Sequence, residues 1–310
     1  MIKDIQGEGK AVITALISKC DKGKTTKNMP YLSMVLEDSS GSIDAKFWNV
    51  TEQQLNEFKA GMIVEAKGDV IVYRNAYQFR VQTLEEKPDQ DISEYVRHAP
   101  MSQQEMRDQI NDWLEDMKDQ DLVKLVKKVL EENEKEFYTY PAATRNHHNF
   151  VGGLAYHSIC MVRLALSIHL LYPWLDVDLL VAGVLMHDIG KIEELSSPVL
   201  PEYTAAGNLL GHISMMNTTI DRVAHELGVQ DSESIMLLKH MVLSHHGKME
   251  YGSPVLPMTP EAEVLATIDN LDARLFMMKD SLDQTLPGAF GPRVFALENR
   301  MIYKRKKEDK

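Results

Sequence analysis

The sequence predicts a multidomain chain, an all-β barrel at the N-terminus followed by an all-α domain. Three observations carry this. Up to about Lys87 the apolar residues alternate with a period of two, and beyond Pro100 they recur every three or four residues. The early strand signals come in the order three strands, one helix, two strands. In the later part, side chains of metal-binding type fall one cluster per apolar helix.

At 310 residues the chain is long enough for two domains, each with its own core. A hydrophobic fraction of 44% and a charged fraction of 26% place it among ordinary globular proteins rather than disordered ones. Cys20 and Cys160 lie too far apart for a zinc or redox motif. With no signal-peptide pattern, they are expected to be free thiols in a reducing cytoplasm. No apolar run approaches the roughly 20 residues needed to cross a bilayer, so a soluble, intracellular protein with no membrane partner is expected. The net charge of −12 argues against a nucleic-acid binder when taken over the whole chain. Its distribution says otherwise: residues 1–87 hold 12 Lys+Arg against 12 Asp+Glu, so the excess lies entirely in 88–310. A region that binds divalent cations would carry such an excess, and so would an ordinary acidic domain.

In the first part, Ala11–Ser18 is a β-rich run. Tyr31–Glu37 alternates, with Leu32, Met34 and Leu36 opposed to Tyr31, Ser33 and Val35; Ser42–Trp48 sets Ile43, Ala45 and Phe47 against Asp44, Lys46 and Trp48. Asp38-Ser39-Ser40-Gly41 is the hairpin turn between them. Thr51 and Gln54 form a capping-box pair opening a short helix that Gly61 closes. Met62–Tyr73 and Tyr77–Leu84, joined at Arg74-Asn75, complete five strands. This is the element order of an OB-fold barrel, whose first and fourth connecting loops and strand 2–3 face form the usual binding surface. Here those places hold Lys22 and Lys24 in a loop Cys20–Lys27, Tyr73, Arg74 and Tyr77 around the last turn, and Lys46 with Trp48 on the outward face of strand 3. Cations that track phosphates beside rings that stack on bases suit a single-stranded nucleic acid.

Lys87–Pro100 is polar and bracketed by prolines, and reads as a linker. The expected domains are therefore 1–87, a linker at 88–101, and a helical region 102–310 with its core at about 141–281. Ser102 and Glu105 cap a first helix with Met106, Ile110, Trp113 or Leu114, and Met117 on one face. Leu122, Leu125, Val126, Val129 and Leu130 mark a second. Further helices are expected at Gly152–Leu171, Val177–Asp188, Leu209–Leu227, Ser232–His246 and Pro260–Ser281, with end signals at Asp176, Gly228, Gly247 and Thr259-Pro260. The basic tail Lys304–Lys307 reads as a solvated terminus.

Across these helices lie His157, His187-Asp188, His212, His245-His246 and Asp269. One helix-borne histidine is usually a satisfied core residue. Five apolar helices each offering such a group point to a metal site built in the bundle core. An adjacent imidazole and carboxylate favour a borderline ion: Mn, Fe, Co or Zn.

The order H…HD…H…HH…D, with Lys191 three residues after Asp188, resembles the HD-domain superfamily of metal-dependent phosphohydrolases. The strings HHNFVGGLAYHS (His147–Ser158), LMHDIGKIEEL (Leu185–Leu195) and LSHHG (Leu243–Gly247) are similar to the YhaM family of bacterial 3′-to-5′ exoribonucleases, in which an OB-fold precedes the HD domain. The resemblance implies that His157, His187, Asp188 and Asp269 hold one metal, and that Asp188 bridges to a second held by His212, His245 and His246. The two ions would be divalent transition metals, manganese first among them. Either His245 or His246 could instead face the phosphate, and single-metal members of the superfamily need only the first four ligands.

Two ions about 4 Å apart supply Lewis acidity and acidify a shared water. In-line attack at phosphorus would then displace the 3′ oxygen of the preceding nucleotide. Lys191 is placed to offset charge on the phosphoryl oxygens, and Arg145, His147 and His148 to bind substrate phosphates. Glu193 and Glu194 read as solvated. The expected activity is degradation of single-stranded RNA, with single-stranded DNA as an alternative substrate, by a chain that could assemble as a homo-oligomer. Two other readings stay open: a phosphohydrolase of small nucleotides, and a non-catalytic nucleic-acid-binding protein with a structural metal.

Overall fold

Alternation becomes a barrel in the first part of the chain. The structure, a computed structural model, describes residues 1–144 and 148–306. Strands β1 (Gly9–Lys24), β2 (Pro30–Asp38), β3 (Gly41–Trp48), β4 (Ile63–Tyr73) and β5 (Ala76–Glu86) close in the order β1-β2-β3-β5-β4. The β3–β5 pairing is parallel and the others are antiparallel. Helix α1 (Glu52–Glu57) sits between β3 and β4, and Thr51 and Gln54 make the expected reciprocal cap. Leu32, Met34 and Leu36 of β2 and Ile43, Ala45 and Phe47 of β3 are buried in the barrel core, so the two alternating sets face as read. In the β4–β5 turn, Arg74 (φ 52°) and Asn75 (φ 64°) both take the left-handed conformation that a two-residue connection between twisted strands demands.

Two local expectations fail. The stretch Cys20–Lys24 is strand rather than loop: it pairs residue by residue with Met34–Pro30. Its Lys, Asp and Gly composition looks like a loop, but the ladder with β2 satisfies its backbone groups, which composition cannot report. Helix α1 ends at Glu57, where Phe58 turns extended, so Gly61 (φ 94°) serves the turn into β4.

The second part is helical: α2 (Gln103–Asp116), α3 (Gln120–Glu132), the short α4 (Glu134–Phe137), α5 (Gly153–Leu171), α6 (Val177–Met186), the short α7 (Lys191–Glu194), α8 (Ala205–Leu227), α9 (Glu233–Ser244) and α10 (Pro260–Gln284). Ser102 and Glu105 cap α2, Asp176 accepts from the Leu179 amide to open α6, and Gly228 (φ 70°) ends α8. On α2, Leu114 rather than Trp113 completes the buried stripe with Met106 and Ile110. Every residue of α6 after Val177 is buried, as an all-round apolar helix requires.

Contrary to the expectation of no such run, α5 is long and apolar enough, by length and composition alone, to cross a membrane: 19 residues, mean hydropathy 1.5. Its Leu154, Ala155, Ile159, Met161 and Val162 nonetheless join the buried helical core, and its Arg163 donates to Gln109 on α2.

The chain forms two compact units, 1–98 with 277–310 and 99–276. The C-terminal residues thus group with the barrel, where the sequence had placed them with the helices. They include β6 (Phe290–Val294) and β7 (Arg300–Tyr303), a two-stranded sheet. The expected linker is partly pinned within the barrel unit: Arg97 lies 3.2 Å from Glu37 and 3.3 Å from Asp280. In the basic tail, Lys304 Nζ donates to Leu282 O at 2.7 Å rather than standing free in solvent, and Lys307 falls outside the described residues.

Candidate metal centre

Helix α6 delivers the HD pair. After Met186 the chain turns through His187, Asp188, Ile189 and Gly190 before α7. Gly190 has a packing reason: a Cβ there would strike the backbone carbonyl of His212. Helix α8 is broken at Gly211 (φ 72°, ψ 151°), so His212 opens its second segment. His157 sits inside α5, Asp269 and Asp272 lie one turn apart on α10, and His245-His246 follow the last turn of α9.

These side chains converge on Asp188. Its Oδ2 lies 3.2 Å from His187 Nε2 and 3.9 Å from His157 Nε2, and His157 Nε2 is 3.2 Å from Asp269 Oδ1. Its Oδ1 faces the other way, 3.5 Å from His212 Nε2 and 3.8 Å from His245 Nε2. Ligand atoms of His157, His187 and Asp269 fall within 4.8 Å of one another, as do those of His212, His245 and His246. The seven expected ligands therefore form two clusters, one against each oxygen of a shared carboxylate.

The other ring nitrogens fix how the imidazoles point. Nδ1 of His187, His245 and His246 each lies 2.7 Å from a backbone carbonyl, of Val184, Val242 and Tyr251 respectively. Nδ1 of His157 meets Asp272 Oδ2 at 2.7 Å, and Nδ1 of His212 meets Glu194 Oε1 at 3.0 Å. With Nδ1 engaged on each ring, each Nε2 faces inward, the arrangement of a metal-ligating histidine and its supporting acceptor. Among the described residues, Nε2 of His187, His212 and His245 and Oδ1 of Asp188 are buried and have no hydrogen-bond partner. Four converging, unsatisfied polar atoms are costly in a protein interior unless a cation takes them up. The donor set of imidazole and carboxylate fits a divalent transition metal.

The electrostatics agree. Burial alone would raise the Asp188 carboxyl, but the neighbouring His187 and Lys191 outweigh it and hold it well below the usual range. For Lys191, burial opposes the charge and the carboxylates of Asp188 and Asp269 restore it; Nζ is 2.6 Å from Asp188 Oδ2. Burial, with His187 and His246 nearby, depresses His245 strongly, so that ring is neutral and ready to ligate. His157 behaves oppositely: against the cost of burial, hydrogen bonds to Asp269 and Asp272 raise it to about 9.

The remaining site expectations divide. Arg145 and His147 lie outside the described residues. His148 is placed differently from a phosphate contact: it is buried, and its Nε2 lies 2.7 Å from Asp272 Oδ2. Glu194, expected to be solvated, is buried and orients His212; its amphipathic surroundings in the sequence gave no sign of this. Asp272 stands outside the ligand set expected from the sequence, although its spacing of one helical turn from Asp269 is a usable signal.

On the barrel, Trp48 is exposed and packs at 4.7 Å on Tyr31, over whose ring Lys46 stands at 5.8 Å while bonding Ser33. The Arg74 guanidinium lies 5.2 Å from the ring of exposed Tyr73, and Tyr77 packs partly into the core. Lys22 and Lys24 do not join this face. Opposite Leu32 and Pro30, they stand on the other side of β1, where Lys22 reaches Asn56 of α1 at 2.9 Å.

Residues 154–274 match the family model described as HD domain, and residues 11–86 match one described as OB-fold nucleic acid binding domain. Among solved structures, the protein priB from Ralstonia solanacearum matches at 18% identity over 25% of this chain and 97% of its own, with a TM-score of 0.23. Fold and site thus define the class: an HD domain, which indicates a metal-dependent phosphohydrolase. The particular architecture is that domain preceded by an OB-fold of nucleic-acid-binding type.

Proposed function

We propose that this protein is a metal-dependent 3′-to-5′ exoribonuclease, as its resemblance to the YhaM family suggests, releasing nucleoside monophosphates from single-stranded RNA in the cytoplasm. The observation that carries the reading is the bridging position of Asp188, one oxygen toward each histidine cluster.

His157, His187 and Asp269 on one side and His212, His245 and His246 on the other would hold two divalent ions, manganese first among the candidates, with Asp188 shared. Bound there, they supply the Lewis acidity that lowers the pKa of water and polarises a phosphoryl group. The chain's own groups do the rest. Lys191, beside Asp188, offers a fixed positive charge to the phosphoryl oxygens. Glu194 and Asp272 hold the tautomers of His212 and His157. The barrel supplies Trp48, Tyr31 and Lys46, and the Tyr73-Arg74 turn, for bases and phosphates of the strand.

Incubation of 5′-labelled RNA and DNA oligonucleotides with Mn²⁺, Co²⁺, Mg²⁺ and Zn²⁺ tests this. The expected result is a ladder shortening from the 3′ end, faster on RNA and absent in chelator. Hydrolysis of mononucleotides alone would move the activity to the small-nucleotide class.

A further inference from the structure

The barrel unit carries a second group of exposed rings and cations, at its C-terminal end. β6 and β7 pair with Phe290 opposite Tyr303 and Val294 opposite Arg300. Residues 288–306 contain five Lys+Arg (Arg293, Arg300, Lys304, Arg305 and Lys306) and one acid, Glu298, in a chain whose net charge is −12. The rings of Phe290 and Tyr303 lie 5.1 Å apart, both about half exposed, and Phe295 in the connection is 85% exposed.

This display is held by the fold. Leu297, two residues from Phe295, is fully buried. Gly291 packs so closely on the end of α10 that a Cβ would meet Thr285 Oγ1. Backbone hydrogen bonds run from Gly288 N to Lys304 O (2.8 Å) and from Lys304 N to Ala289 O (2.9 Å). The segment is also tied to the β4–β5 turn: Asn75 Nδ2 donates to Phe290 O at 3.2 Å, and Leu286 N donates to Asn75 O at 3.1 Å. That turn carries Tyr73 and Arg74.

We propose that the β6–β7 hairpin is a second contact for single-stranded nucleic acid, continuing the barrel's binding face past the β4–β5 turn. The inference rests on reading the barrel as a strand-binding module. Exposed apolar residues are ordinary when scattered, but a ring pair, a third ring and a local excess of positive charge on one hairpin and the residues just after it form a patch. Rings stack on any base and cations follow the phosphates, so the patch is complementary to a flexible polyanion. A second copy of the chain fits less well: a two-fold contact would bring the same cations face to face.

The test is fluorescence anisotropy of a labelled 20-nucleotide uridylate RNA on the full chain in chelator, across a salt series, with light scattering for mass. Phe295→Ala should weaken binding about fivefold or more, the range for loss of one stacked base. Arg305→Glu should weaken it and flatten the salt dependence by about one ion or more. Unchanged affinity in both variants, with Trp48→Ala weakened, would remove the hairpin and leave the barrel reading standing. No binding by the unmodified chain would remove both. A fall in mass for Phe295→Ala with affinity per chain intact would assign the patch to self-association and overturn the proposal.

Discussion

The two halves of the centre solve one problem with different donors. The half facing Asp188 Oδ2 combines two imidazoles, His157 and His187, with a second carboxylate, Asp269; the half facing Oδ1 has three imidazoles, His212, His245 and His246. Each half steadies one histidine with a carboxylate (Asp272 for His157, Glu194 for His212) and the rest with backbone carbonyls. The first half is richer in anionic oxygen and keeps a proton on His157 in the metal-free protein; the second has a neutral His245. The first should therefore tolerate the harder ion and be the more sensitive to pH, while the second should favour the softer one.

The largest effect should come from the residue both halves share. Asp188→Asn should abolish high-affinity binding in both and lower turnover by about a thousandfold or more, the several kcal/mol a Lewis-acid centre supplies. Metal content after dialysis, read by mass spectrometry, checks it, and two ions retained with full turnover would break the comparison. Next, Asp269→Asn and His245→Gln should each leave one ion bound, from opposite halves. Loss of both ions in either variant would mean that the halves do not fill independently.

Acidity should then separate the halves. An incoming ion must displace the proton that Asp269 and Asp272 hold on His157, a ring whose pKa lies at about 9. Affinity at that half should rise roughly tenfold per pH unit below this value and level off above it. The other half should gain little between pH 7 and 9, because His245 has no proton to lose there. Calorimetry in buffers of different ionisation heat should show about one proton released on filling the first half. Smaller again, Glu194→Gln and Asp272→Asn should weaken only their own half, by roughly 10- to 100-fold, measured by competition with a fluorescent chelator. Smallest, Trp48→Ala should cost about fivefold in oligonucleotide affinity and nothing in metal content. A change in metal content would mean that the barrel and the centre are not independent.

The contrast between barrel and centre also explains what could be read from the sequence. Leu32, Met34 and Leu36 announce a strand because alternation follows directly from the pleat, and Ser102 with Glu105 announces a helix start because both partners are local. The candidate ligands stand out in the sequence because histidine and aspartate inside apolar helices have few other uses. Glu194 and Asp272 were harder. A supporting carboxylate touches the metal only through another residue, so its chemistry depends on where two distant segments meet. Glu194 reaches His212 because Gly190 lets α8 press against the HD turn, a packing event with no periodic signature. Lys22 and Lys24 misled for a related reason: their composition suited a loop, and only the ladder with β2 decided which way they face. The grouping of 277–310 with the barrel was equally hidden, since α10 runs across the boundary without a break in its pattern.

Anomalous diffraction from Mn²⁺-soaked crystals bears most directly on the shared carboxylate. The account predicts two peaks, one beside each oxygen of Asp188, the first within bonding reach of His157, His187 and Asp269 and the second of His212, His245 and His246. A single peak away from Asp188, or two on the same oxygen, would contradict it.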